Sequence, residues 1–211
     1  MTSRDWLDWH ADYDRPDSRL AQRLAAVQGQ IAGALDRAPV GPVRVVSVCA
    51  GQGRDLLGVL ADHPRAADVR ARLVELDPRN VARARAAAPD GVEVVEADAT
   101  LTTVYEGAVP ADVVLVCGVF GHATDDDIHR IVEHLPMLCG PGATVIWTRG
   151  WFDRDIRPAI RGWFAASGFE EVAFLTGDDG SWGVGANRLV AEPAPYRAGV
   201  RLFTFLDELP A

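Results

Sequence analysis

The chain has 211 residues and a formal charge of −9, from 30 acidic and 21 basic side chains, and every basic one is Arg. The absence of Lys excludes a Schiff-base lysine, a catalytic lysine base and the lysine of a P-loop or kinase nucleotide site. The acidic balance speaks against a nucleic-acid partner, which would call for a basic face.

An apolar fraction of 48% suits one globular domain, 1–211, long enough to bury a sizeable core. No apolar run approaches the ~20 residues of a membrane span, and the opening MTSRDWLDWHADYD is too charged for a signal peptide. Cys49, Cys117 and Cys139 lie in apolar stretches without metal-ligand spacing. Free thiols in a reducing cytoplasm, with no metal site, are the simplest account of them.

In chain order, residues 1–18 gather Trp6, Trp9, His10 and Tyr13. Leu20, Leu24, Val27, Ile31 and Leu35 then recur at helical spacing, which predicts a helix over 19–37, ended by Pro39, Gly41 and Pro42. VRVVSVC (43–49) reads as a strand, AGQG (50–53) as a tight turn and RDLLGVLAD (54–62) as a helix. ARLVELD (71–77) is a second strand, followed by a helix over 78–89 with Pro at its first position. VEVVEAD (92–98) is a third strand, and ADVVLVCG (111–118) a fourth, apolar on both faces as a central parallel strand is.

Thr124 before three Asp residues predicts an N-cap and a helix to about Cys139. The segment GPG (140–142) is expected to break that helix before a fifth strand, ATVIWTRG (143–150). A helix over 154–167, closed by Gly168, precedes two hairpin strands, 169–176 and 182–192, joined by GDDGS. LFTFL (202–206) is expected to pack as one more segment. Alternating strands and helices imply a parallel α/β sheet with right-handed crossovers. The hairpin adds an antiparallel strand at or near one edge.

In such sheets ligands sit beyond the carboxyl ends of the strands. There the first strand carries Gly51 and Gly53, the second Glu75 and Asp77, the third Asp98, and the fourth Cys117 and Gly118. Glycines let a ligand lie against the backbone, but Leu56 occupies the third glycine position of a dinucleotide fingerprint, so the turn matches NAD binding poorly. An acid about 20 residues beyond the glycine turn suits ribose hydroxyls. Glu75, at the strand end, is the better candidate, because Asp77 before Pro78 also reads as a turn or N-cap residue. Asp98 suits an exocyclic amine, or is a plain loop acid.

Together the segments VVSVCAGQGRDLLGVL, RLVELDPRNVARAR, VEVVEADAT and DVVLVCGVFGHATDDDIHRIVEHLPMLCGPGATVIWTRG resemble the class I S-adenosylmethionine-dependent methyltransferases. The resemblance spans roughly Val43 to Val190. It implies a Rossmann-like doubly wound sheet of seven strands with the last antiparallel, over a core of 43–192, with an N-terminal helical extension (1–40) as a lid. It also implies S-adenosyl-L-methionine as cofactor. Ala50, Gly51 and Gly53 would line its amino-acid portion, Glu75 would take the ribose hydroxyls, and Leu76 would pack on the adenine. Asp98 would accept from the adenine amine beside Ala99, and Cys117 and Gly118 would sit by the sulfonium.

The chain departs from the family's first motif. Ser47 stands where an acid is usual, and Cys49 where the first glycine is. Arg54 either compensates by facing the cofactor carboxylate or is a surface helix residue. Methyl transfer needs mainly proximity and alignment, and a base only if the nucleophile must lose a proton. His122 and Tyr13 are the candidates for that role, with Phe120, Arg149 and Trp151 also placed to reach a substrate. The short chain favours a small-molecule acceptor, with a homodimer possible. Two alternatives stay open: displacement within the cofactor, releasing methylthioadenosine, and a nucleotide-binding protein without catalysis.

Overall fold

A computed structural model of the chain describes residues 12–15, 17–151 and 154–206. Trp6, Trp9 and His10 lie outside these, so the expected aromatic lid is represented only by Tyr13. The strands are β1 (Val43–Val48), β2 (Val69–Glu75), β3 (Val92–Glu96), β4 (Ala111–Val116), β5 (Cys139–Gly150), β6 (Phe169–Thr176) and β7 (Trp182–Leu189). They form one sheet in the order β3-β2-β1-β4-β5-β7-β6. β1 to β5 run parallel. β7 is inserted antiparallel between β5 and β6, the second of the two placements that the hairpin pattern left open.

Among the described residues five α-helices cover the sheet: α1 (Arg19–Arg37), α2 (Arg54–Leu60), α3 (Pro78–Ala87), α4 (Asp125–His134) and α5 (Arg157–Ala166). Their starts follow local chemistry. Ser18 accepts from the Ala21 N–H, Asp77 from the Arg79 N–H, and Thr124 from the Asp127 N–H, each satisfying a donor that the helix leaves open.

The two-residue period of β4 explains the layering. Val113 and Leu115 face one side, where they join Val27, Ile31 and Leu35 of α1, Leu56 and Leu60 of α2, and Val81 of α3. Val114 and Val116 face the other, with Ile128 and Ile131 of α4, Ile160 and Phe164 of α5, and Leu202 and Phe203 near the C-terminus. Each such side chain contributes about 1.5–3 kcal/mol on burial, so both faces of the central strand are committed to core. On the second face Trp147 stacks on Phe164 at 5.6 Å and donates its indole N–H to Asn187 across to β7, which satisfies a buried donor.

The structure corrects three boundaries. α4 ends at His134 and passes into a 3-10 turn, Leu135–Met137, because Pro136 cannot supply the N–H of a further α-helical turn. GPG does not precede β5 but belongs to it: Ala111 pairs with Cys139, and the register shifts before Val113 meets Thr144, so the extra residues are absorbed as a bulge. α5 starts at Arg157, not at 154, with Pro158 in its first turn. No helix among the described residues is long and apolar enough to cross a membrane.

Candidate functional site

The carboxyl ends of β1, β2 and β4 converge on one edge. After β1 the chain turns sharply. Cys49 takes a left-handed φ of 54°, as do Gly51 (56°) and Gly53 (69°). Cys49 thus holds a conformation that glycine adopts freely and an L side chain rarely does. The turn is closed by Ala50 N–H donating to Val74 and Gly53 N–H donating to Ala50. A Cβ on Gly53 would lie 2.7 Å from Leu73 Cδ2, so this glycine is demanded by space as well as by φ.

Glu75 is tied to that turn. Its Oε2 accepts the Gly51 N–H at 2.8 Å and its Oε1 the Asp77 N–H at 2.9 Å. Two backbone donors fix the carboxylate's plane at the strand end and leave each oxygen a second lone pair. Leu76 beside it is 66% exposed. Asp77 is the α3 cap and pairs with Arg79 at 2.8 Å. That guanidinium holds its carboxyl below the usual range, so Asp77 serves structure, as its position before Pro78 suggests.

Asp98 Oδ1 accepts from the Thr100 N–H and hydroxyl at 2.9 and 2.6 Å, and Oδ2 lies 3.7 Å from Arg201. Ala99 is buried and its carbonyl accepts the Tyr105 hydroxyl at 2.7 Å. Burial pushes the Cys49 thiol well above its ordinary pKa, reinforced by the charges of Glu75 and Asp98. Gly51, Glu75, Asp98 and Cys49 therefore form one cluster at the β1–β3 end.

A second cluster surrounds Cys117 and Gly118. Gly118 has φ 79° with open space where a Cβ would point, and its N–H donates to Thr148 Oγ1 at 2.8 Å. Cys117 is held protonated by burial, with Asp55 raising its pKa further and Arg23 opposing. Tyr13 comes to the same place. Its hydroxyl accepts from Arg23 at 3.2 Å, and its pKa is raised, burial outweighing Arg23. Tyr13 thus keeps its proton at neutral pH. Arg54 lies over the Tyr13 ring at 5.6 Å and binds Asp14 at 2.7 Å and Gln52 at 3.0 Å, so its guanidinium is engaged by protein groups.

Asp55 and Arg23 are the residues that the sequence reading missed. Burial raises the Asp55 pKa, against hydrogen bonds from the backbone. The available signal was an acid two residues after Gly53, but a first-turn acid is unremarkable on any helix. Arg23 had no signal, being one polar position among several on α1.

His122 is half-buried in the loop after β4, beside Phe205 at 6.2 Å between ring centroids. Phe120 and Arg149 are not placed to reach a substrate. Phe120 is fully buried against Trp147 at 5.7 Å. Arg149 is 7% exposed and donates to the Phe120 carbonyl at 2.6 Å; it braces the loop. Trp151, 54% exposed, stays at the mouth.

No family model matches the sequence, and no curated protein matches it. Solved structures do. An O-methyltransferase family protein from Burkholderia thailandensis superposes with a TM-score of 0.63 at 20% identity, over 81% of this chain and 56% of that one. The chain thus spans about half the length of that relative. Magnesium protoporphyrin IX methyltransferase from Synechocystis, solved with S-adenosylmethionine, gives 0.65 at 13% identity over 88% and 92%. The 1,6-didemethyltoxoflavin N1-methyltransferase of B. thailandensis, solved with its substrate and S-adenosylhomocysteine, gives 0.61 at 18% over 88% and 87%. With the strand order and the antiparallel β7, the chain has the fold of the class I S-adenosylmethionine-dependent methyltransferases.

Proposed function

We propose that the protein is an S-adenosylmethionine-dependent methyltransferase acting on a small-molecule acceptor. The observation that carries this reading is Glu75, held by the Gly51 and Asp77 N–H groups at the end of β2 with acceptor capacity left for a pair of vicinal hydroxyls. The surroundings fit the same cofactor. Leu76 offers an exposed apolar face for the adenine, beside Asp98 and Ala99. Ala50, Gly51 and Gly53 provide a turn that a ligand can approach closely, and Gly118 leaves room beside Cys117. When bound, the cofactor supplies a methyl group already activated on a sulfonium.

The chain's own residues then have positioning roles. Thr148 and Arg149, at the end of β5, pin the loop bearing Gly118 and His122 through the Gly118 N–H and the Phe120 carbonyl. Tyr13, protonated, closes the β4 side from the N-terminal segment. Asp55, with its raised carboxyl pKa, and His122 are the groups able to take a proton from the acceptor. The acidic surface supports a small molecule over a nucleic acid as acceptor.

A thermal-shift comparison tests this reading. At 100 times its Kd, S-adenosylhomocysteine should add about 2.7 kcal/mol of stability, roughly 5–10 °C for a chain of this length. NAD at the same concentration should add nothing measurable. The reverse pattern would assign a nucleotide-binding role instead. Incubation with S-adenosylmethionine alone should release no methylthioadenosine beyond the uncatalysed background.

A further inference from the structure

The chain does not leave the molecule after β7. Residues 194–206 return across the carboxyl edge of the sheet, from the loop after β3 to the loop after β4. The Thr102 hydroxyl donates to the Arg197 carbonyl at 2.7 Å and accepts the Val200 N–H at 2.9 Å. Tyr196 donates to the Thr102 carbonyl at 2.6 Å. Leu202 N–H donates to Thr100, and Leu206 N–H to the carbonyl of His122 at 2.9 Å. Leu202 and Phe203 are buried and anchor the strap in the core.

One aromatic of this strap is left out of the core. Phe205 is 39% exposed. Its ring is braced edge-on by Phe203 at 5.1 Å and stands 6.2 Å from the His122 ring, tilted by 42°. The braced ring keeps about two-fifths of its surface open beside the candidate proton acceptor, an apolar face that a ligand could cover. The two rings form a corner of aromatic surface at the loop after β4. Leu76 and Trp151, also exposed, follow β2 and β5 on the same edge.

We propose that Phe205, with His122, forms the wall against which the acceptor packs, and that the acceptor is a small aromatic compound whose nucleophile is carried on or beside its ring. Offset or edge-to-face contact with two fixed rings favours a flat partner over a puckered aliphatic one of equal size. Phe205 is on this account a specificity-determining residue. The inference rests on the methyl-transfer reading, and its test separates the two.

The test uses matched pairs: naphthalen-2-ol, catechol and aniline against cyclohexanol, cyclohexane-1,2-diol and cyclohexylamine. Each is titrated calorimetrically into the full chain saturated with S-adenosylhomocysteine, then assayed for transfer of labelled methyl. Aromatic members should bind about tenfold more tightly than their partners, and Phe205→Ala should remove that preference. For any methylated member, Phe205→Ala should raise KM about tenfold, with kcat changed by less than about threefold. Phe205→Tyr should restore KM, and Phe205→Leu, which keeps the apolar volume and so controls for folding, should not. Equal binding within the pairs, binding of no aromatic member, or a preference unaffected by Phe205→Ala would overturn the assignment. Failure of S-adenosylhomocysteine to bind the unsubstituted protein would instead remove the methyl-transfer reading beneath it.

Discussion

Glu75 and the two glycines nearest the site show how single residues divide between fold and ligand. The carboxylate of Glu75 is fixed by backbone donors from two different loops, so its position depends on the turn after β1 being formed. That turn uses left-handed residues, and Gly53 within it differs from Gly118 after β4 in what a methyl group would meet. At Gly53 it strikes Leu73 and Leu57, whereas at Gly118 it meets open space. Gly53→Ala should therefore cost about 2–4 kcal/mol in urea denaturation, from strain and overpacking together. Gly118→Ala should cost only about 1–2 kcal/mol of strain, yet weaken S-adenosylhomocysteine binding out of proportion. Equal stability losses, or unchanged ligand affinity in Gly118→Ala, would remove Gly118 from the cofactor's surroundings.

Among elements, the link between α5 and the β6–β7 turn fixes the rear of the mouth. Arg157, 8% exposed, forks onto Asp155 with both contacts at 2.7 Å and donates to the Gly180 carbonyl at 2.8 Å. The guanidinium holds the Asp155 carboxyl below its ordinary 3.8. A depressed carboxylate pKa contributes stability that is present above about pH 4 and is lost as pH falls through the lowered value. Asp155→Asn should thus destabilise the protein at pH 7 by about 1–2 kcal/mol, a figure reduced for partial exposure. The gap from the unsubstituted protein should close as pH falls through the lowered value; a pH-independent gap in denaturation midpoints would count against the ion pair. The Arg157–Gly180 link was not legible in the sequence, because it joins residues 23 positions apart with no local signal. The strands and caps were legible, since the β4 pattern and the Thr124-Asp-Asp-Asp start are local. The bulge at 140–142 was misread because Pro and Gly mark a break in the chain's regularity without saying which element absorbs it.

For the whole molecule, the alternation of strands and helices was enough to predict a parallel sheet and the edge at which a ligand sits, while the hairpin left open whether its antiparallel strand would be added at one edge or inserted near it. The residues at the strand ends were legible for the same reason: Gly51, Glu75, Asp98 and Gly118 each follow a readable strand. The acceptor side was not. Asp55, Arg23 and Phe205 reach it from a helix turn, a helix face and a C-terminal strap, and only the folded chain brings them to one edge. Phe120 shows the converse error, a loop aromatic that tertiary packing draws fully into the core. The central claim is a cofactor held at Glu75. Calorimetric titration of S-adenosylhomocysteine into the unsubstituted protein and into Glu75→Ala tests it most directly. It predicts one-to-one binding, weakened in the variant by about 1.5–3 kcal/mol, as for a lost charged hydrogen bond. Absence of binding to the unsubstituted protein, or equal affinity in the two, would contradict it.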